Sequence, residues 1–255
     1  MPDLSGKVAI VTGCASGIGA ATVRRMRADG AMVLGTDLAE DAGRRLAQET
    51  GASFAAQDVG DRAAWPSIVA LAVSSYGRLD ILVNNAGMVG GSSIAETDDA
   101  QWDRVLAVNL TGTMAGCRAA IAAMIANPGG AKGSIINIGS TTALTPLPND
   151  IAYSASKAAV LNLSRAVATW CARQGYAIRC NTVIPGATDT GILAKGDADM
   201  PGFKAVASKM SPINRLADPA ETAAAIAFLA SDECQFMTGA EMLVDGGALA
   251  IHPGL

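Results

Sequence analysis

The sequence predicts an α/β domain: a doubly wound, seven-stranded parallel sheet with helices on both faces. Two observations carry that expectation. Short β-branched or apolar runs alternate with longer Ala-rich stretches of helical period, the signature of repeated βαβ units. Half of the 255 residues are hydrophobic and only 16% are charged, a balance that suits one substantial buried core. A single domain over 1–255 follows, since no internal repeat or low-complexity linker divides the chain.

The strand candidates are Val8–Val11, Met32–Gly35, Ser53–Ala56, Ile81–Val83, Ser134–Ile138, Ile178–Val183 and Glu241–Val244. Helices are expected near 17–29, 40–50, 61–76, 98–126, 151–174 and 219–231. Asp29-Gly30 closes the first helix; Asp61 opens the third, with Pro66 near its start. Asn127-Pro128-Gly129-Gly130 reads as a turn into the fifth strand. Residues 187–216 show no clean period and hold Gly191, Gly196, Pro201, Gly202 and Pro212, so they read as a mobile lid over the sheet edge.

The net charge of -4 offers no basic field for a phosphate backbone, and nucleic acid is not an expected partner. Charges such as Arg104, Arg118 and Arg165 interrupt the apolar stretches before the roughly 18–20 residues that a membrane span needs. Residues 1–7 do not resemble a signal peptide. Cys14, Cys117, Cys171, Cys180 and Cys234 form no metal-type spacing and read as reduced thiols of a cytoplasmic protein. One histidine, His252 in the terminal tail, cannot build a metal site, so no metal is expected. The large share of Ala and Gly suits helix faces packed both on the core and on a second subunit.

After the first strand comes Thr12-Gly13-Cys14-Ala15-Ser16-Gly17-Ile18-Gly19, opening directly into a helix. Gly13 permits a tight turn, Gly17 lets backbone approach a pyrophosphate, and Gly19 lets helix pack on strand; the helix N-terminus faces the phosphates with free N–H groups. This is a Rossmann-type nucleotide turn with T-G-x-x-x-G-x-G spacing. Cys14 within it reads as a small tolerated side chain. Asp37, at the end of the second strand, is placed to accept from an adenosine ribose and to repel a 2′-phosphate. Ser16 and Leu38 bring no cation to grip that phosphate, so NAD is expected rather than NADP. Asp58-Val59 and Asn84-Asn85-Ala86-Gly87 fall at the same carboxyl edge, with Asp58 a candidate for the adenine amino group.

Tyr153 and Lys157 stand four apart on a predicted helix and share a face. A phenol titrates near pH ~10, and a neighbouring ammonium stabilises the phenolate, bringing tyrosine toward the range of a general acid–base. Ser140, at a strand end, supplies a second hydroxyl that holds a carbonyl oxygen where negative charge develops as hydride arrives.

The glycine pattern, the Asn84–Gly87 run, Ser140, Tyr153-x-x-x-Lys157 and Pro185-Gly186 together resemble the short-chain dehydrogenase/reductase family over essentially the whole chain. The resemblance implies that Asn109 holds a water linking Lys157 to solvent, and that Lys157 also binds the nicotinamide ribose. It implies cofactor contacts at Gly13, Ser16, Gly17, Ile18, Gly19, Asp37, Asp58, Val59, Asn85, Ala86, Gly87, Tyr153, Lys157, Pro185, Gly186, Ala187, Thr188 and Thr190. It further implies a homotetramer that pairs the helices 98–126 and 151–174 between subunits, and a C-terminal tail through His252 that reaches a neighbouring site.

The substrate pocket is expected between Thr141–Asp150, Met88-Val89-Gly90 and the lid, lined by Leu144, Leu147, Pro148, Leu193, Met200, Phe203 and Met210. These side chains carry no arginine clamp, so an uncharged hydrophobic secondary alcohol or ketone fits. Tyr153–Val160 and Arg173–Arg179 are similar to bacterial 3β/17β-hydroxysteroid dehydrogenases, which makes a hydroxysteroid one expectation. Cyclic-alcohol or aryl-ketone dehydrogenase, 3-oxoacyl thioester reductase and a non-catalytic NAD-binding protein stand as alternatives.

Overall fold

A computed structural model describes residues 2–199 and 201–250, so the expectations for Met200, His252 and the rest of the tail lie outside the described residues. Seven strands form one sheet: β1 (Val8–Thr12), β2 (Met32–Asp37), β3 (Ser53–Ala56), β4 (Ile81–Asn84), β5 (Lys132–Ile138), β6 (Ala177–Pro185) and β7 (Glu241–Val244). Every neighbouring pair is parallel, in the order β3-β2-β1-β4-β5-β6-β7. The chain therefore reverses its direction of growth between β1 and β4, and the crevice above their carboxyl ends is where sheets of this kind bind ligands. Each expected strand forms, several running one or two residues further than expected.

The helices follow the predicted alternation: α1 (Gly17–Ala28), α2 (Glu40–Thr50), α3 (Trp65–Tyr76), α4 (Asp99–Leu106), α5 (Thr113–Ile125), α6 (Ile151–Arg173), α7 (Gly191–Asp199), α8 (Phe203–Ser208) and α9 (Pro219–Ala230). Burial on both faces of β1 requires an all-apolar run, and its residues divide accordingly. Val8 and Ile10 join a core with Ile68, Val69, Ala120, Met124 and Ala168 of α3, α5 and α6. Ala9 and Val11 face Val23, Met26, Leu46 and Ile226 of α1, α2 and α9. This is one domain with two helical layers on a shared sheet.

Three expectations need correction. The third helix starts at Trp65 with Pro66 in its first turn, because Asp61 spends its carboxylate on the N–H of Ala63 in a preceding turn. The segment expected to lack period, 187–216, contains α7 and α8, two short helices that propensity arguments lose among the intervening glycines and Pro201. The helix at 98–126 is continuous, but Ala107–Gly112 within it is a π-helical turn. Gly112 faces β3's exit so closely that a Cβ would stand 2.7 Å from the carbonyl oxygen of Val59.

The same stretch, Asp99–Ile125, is long and apolar enough to cross a bilayer by length and composition, against the expectation from its arginines. Asp99, Asp103 and Arg104 cluster at its start, and the Ala, Val, Leu, Ile and Met that follow outweigh the one later charge, Arg118. In the fold, 56% of its most apolar window is buried, as in a core helix.

Candidate active site

The glycine turn is fastened to the sheet before any ligand is considered. Gly13 (φ +65°) and Gly17 (φ +51°) occupy the left-handed region that other residues resist. A Cβ on Gly13 would stand 2.8 Å from the Cα of Ala86, and one on Gly19 would run into the carbonyl oxygen of Gly13. Asn85 donates from Nδ2 to the carbonyls of Thr12 (2.9 Å) and Gly13 (3.1 Å), while the Thr12 hydroxyl accepts the N–H groups of Asn85 and Ala86, both at 3.0 Å. The expected cofactor residues Asn85, Ala86 and Gly13 thus lock one another, and Asn85 spends its amide on the turn.

At the start of α1, Ser16 makes no side-chain cap, so the first N–H groups of the helix lack that partner. Gly17 makes room for Thr190, whose Cγ2 would lie 3.0 Å from an added Cβ; the segment just before α7 therefore rests on the turn. A cavity of about 820 Å³ opens here, lined by Ser16, Gly17, Arg24, Thr190 and Pro219 among others. Tyr153 is not among its lining residues. The Asp37 carboxylate accepts from the N–H groups of Ala15 and Ala39, each at 2.9 Å. Leu38 beside it is 64% exposed and uncharged. Cys14 is buried, and burial followed by the Asp37 charge pushes its thiol up to about 12, as a filler side chain would be.

Around the crevice, Asp58 accepts from Gly60 N (2.8 Å) and from Arg104 Nη1 (3.0 Å), so an arginine of α4 orients it. Val59 is buried and its carbonyl accepts the Trp65 indole N–H at 3.1 Å. Ile18 packs on the core beneath α1. Pro185 ends β6, and the Gly186 N–H continues the ladder to the carbonyl of Val244. Ala187 and Thr188 bridge to Ala217, with the Thr188 hydroxyl turned back to the Gly186 carbonyl at 3.0 Å.

Lys157 and Tyr153 meet as the spacing on α6 requires, with Nζ 5.6 Å from the centre of the phenol ring. Nζ also donates to the carbonyl of Ile138 at 2.8 Å, which ties α6 to the end of β5 where Ser140 sits. Burial pushes Lys157 down to about 8. The expected lowering of Tyr153 is not what the protein does in isolation. Desolvation raises the phenol above its ordinary value, Ser140 pulls it back, and the Asp150 carboxylate raises it further. The physical reason is that burial of the phenol disfavours the charged phenolate by more than the hydrogen bond with Ser140 favours it.

Asn109 lies in the π-helical turn, buried, and grips Met88 at both ends: its Oδ1 accepts the Met88 N–H and its Nδ2 donates to the Met88 carbonyl, each at 2.9 Å. The same Nδ2 donates to Ser156 Oγ at 3.0 Å. A Cβ on Gly87 would stand 3.4 Å from both Asn109 Oδ1 and Lys157 Nζ, so glycine there keeps a gap between the two. Sequence reasoning did not single out Asp150, which caps α6 and accepts from Gly90 N at 3.1 Å. Its signal was present as an acidic residue immediately before a helix.

Of the expected pocket residues, Leu144, Pro148 and Met210 are exposed and Leu147 is half-buried. Phe203 turns back onto the neighbouring helix α7, with ring atoms 3.0 Å from where a Cβ on Gly196 would be. The five cysteines are free and buried, and no cluster of metal-ligating side chains occurs among the described residues.

A family model described as enoyl-(acyl carrier protein) reductase matches residues 13–248. The chain is 40% identical over 257 residues to a cis-4-hydroxycyclohexanecarboxylate dehydrogenase of Sinomonas cyclohexanicum, covering 96% of this chain and 97% of the relative. It is 38% identical over 258 residues to 3beta-hydroxysteroid dehydrogenase 1 of Eggerthella lenta, covering 99% and 97%. It is 37% identical over 249 residues to a 2,5-dichloro-2,5-cyclohexadiene-1,4-diol dehydrogenase of Sphingobium indicum, covering 96% of each. The matched span runs from the glycine turn past β7 and takes in Ser140, Tyr153 and Lys157: the chain belongs to the short-chain dehydrogenase/reductase family.

Proposed function

We propose that the protein is an NAD-dependent dehydrogenase of uncharged secondary alcohols borne on a ring, hydroxysteroids included. The observation that carries this reading is the convergence of Tyr153, Lys157 and Ser140 at the carboxyl edge beside the glycine turn. The names of relatives that act on ring alcohols support the ring alcohol, one of them bearing a carboxylate, while the uncharged class rests on the absence of an arginine among the expected pocket side chains.

The residues present fit a dinucleotide. The open first turn of α1 suits a pyrophosphate, Asp37 suits ribose hydroxyls, and Gly87 keeps space beside Lys157. NAD is favoured over NADP because Asp37 opposes a 2′-phosphate and neither Ser16 nor Leu38 offers it a cation. When bound, NAD supplies the acceptor for hydride leaving the carbinol carbon. Ser140 donates a hydrogen bond to the substrate oxygen and holds it as the carbonyl forms. Tyr153, as phenolate, takes the hydroxyl proton, so one proton and one hydride leave the alcohol and a ketone remains. Lys157 binds the ribose and stabilises the phenolate. Asn109 fixes Met88 and the pocket wall, with Oδ1 facing the gap that leads to Lys157. The exposed Trp170 on α6 and the fully exposed Phe236 near β7 are consistent with a homotetramer.

The test is a panel of cyclohexanol, a 3β-hydroxysteroid, a 17β-hydroxysteroid and an aryl secondary alcohol, each assayed with NAD and with NADP. Turnover of ring alcohols with kcat/KM at least about tenfold higher for NAD supports the reading. Absence of turnover for every ring alcohol overturns it.

A further inference from the structure

The stretch 88–92, which walls the expected substrate pocket, has no strand beside it, yet every second residue is fastened. Met88 is held at both its N–H and its carbonyl by Asn109. The Gly90 N–H donates to Asp150 Oδ1 at 3.1 Å, and the Gly90 carbonyl accepts from Gln101 Nε2 at 2.9 Å. The Ser92 carbonyl accepts the N–H of Ile151 at 3.3 Å. Side chains and a helix end replace the missing ladder partner.

Asp150 occupies a special place in this arrangement. It is 94% buried, and it caps the helix that carries Tyr153, accepting that residue's own N–H at 3.4 Å. Gly90 approaches so closely that a Cβ would stand 3.1 Å from Asp150 Oδ1. Asparagine would cap the helix and accept from Gly90 equally well, so those bonds do not explain a carboxylate. Ser140 at the end of β5 and Lys157 one turn along α6 stand beside Tyr153, and the Asp150 carboxylate lies at that residue's backbone N–H at the helix start. The wall residues Met88, Val89, Gly90, Gly91 and Ser92 bring no titratable side chain.

We propose that Asp150 is a positioning residue that locks the substrate-pocket wall at Gly90 to the first turn of the catalytic helix and fixes a carboxylate at the backbone N–H of Tyr153. This rests on the reading of Tyr153 as the proton-transferring group. A carboxylate fixed there adds to the burial of the ring in favouring the protonated phenol. That favours the form that donates a proton to a ketone and delays the form that accepts one from an alcohol.

Two variants separate the two jobs. Asp150→Asn keeps the cap and the bond from Gly90 but removes the charge; Asp150→Ala removes all three. Ionisation of Tyr153 is followed by phenolate ultraviolet absorbance, taken as the difference between each protein and the same protein carrying Tyr153→Phe. The expected result for Asp150→Asn is a Tyr153 titration about one pH unit lower, with a matching shift in the pH profile of cyclohexanol oxidation and an unchanged KM for the alcohol. Asp150→Ala is expected to lower the titration likewise and to raise the KM for cyclohexanol about tenfold while leaving that for NAD in place. A titration in Asp150→Asn that coincides with the parent overturns the electrostatic half. An unchanged alcohol KM in Asp150→Ala, or an equal rise for alcohol and NAD, overturns the positioning half. If the parent turns over no ring alcohol, the functional reading fails while the titration still decides the charge effect.

Discussion

The Asp37 carboxylate accepts the backbone N–H of Ala15 at 2.9 Å, so the acid that ends β2 and the glycine turn that ends β1 form one unit. Asp37→Ala removes the proposed ribose acceptor and also frees the turn. The KM for NAD is expected to rise about ten- to a hundredfold, in keeping with the loss of charge-assisted hydrogen bonds. That for NADP should rise less, because a repulsive charge is lost together with the anchor. Parallel KM measurements with both cofactors check this; equal rises for the two would remove Asp37 from the selectivity argument.

Lys157 gives the protein a signature in its pH-stability curve. Its pKa falls from 10.5 in the unfolded chain to about 8 in the fold, because burial disfavours the ammonium. Below pH 8 both states carry the proton and the folded state bears the full desolvation cost. Between 8 and 10.5 the unfolded chain binds more protons, so this contribution makes stability rise with pH, by about 3 kcal/mol in total. Tyr153, raised by burial, acts the other way above its ordinary value, where the unfolded phenol ionises first. Urea unfolding of the parent and of Lys157→Met across this range isolates the lysine. The difference between them should move in the parent's favour as pH rises, and a flat difference would contradict the assignment.

Gly19 is expected to be the least replaceable glycine of the turn, since a Cβ there meets the Gly13 carbonyl, a backbone atom that cannot step aside. Gly19→Ala should cost about 3 kcal/mol and weaken NADH binding. Gly191, with nothing within 4 Å of an added Cβ, serves as the control in the first turn of α7. Gly191→Ala should be neutral or stabilising by about 0.5–1 kcal/mol. Thermal melts of both proteins, with and without NADH, make the comparison.

The parts legible in the sequence are those set by short-range chemistry. All-apolar runs such as Ile81–Val83 declared strands buried on both faces, and the glycine turn declared the junction of β1 and α1. Tyr153 and Lys157 were legible because four residues on a helix fix their mutual position. What stayed hidden depends on partners distant in sequence. The π-helical turn at Ala107–Gly112 is invisible to a search for period 3.6, yet it aims Asn109 at Met88. Asp150 reads locally as a cap, and only the fold brings Gly90 to it across sixty positions. The direction of the Tyr153 shift was misjudged for the same reason: spacing shows which charge is near, while burial decides which effect wins.

Tyr153→Phe tests the central claim most directly, because it keeps the ring beside Lys157 and removes only the hydroxyl. Measured with NAD and whichever ring alcohol the parent oxidises best, kcat is expected to fall about 10²- to 10⁴-fold while NADH binding, followed by fluorescence, stays unchanged. Turnover within about tenfold of the parent would contradict the assignment of Tyr153 as the group that moves the proton.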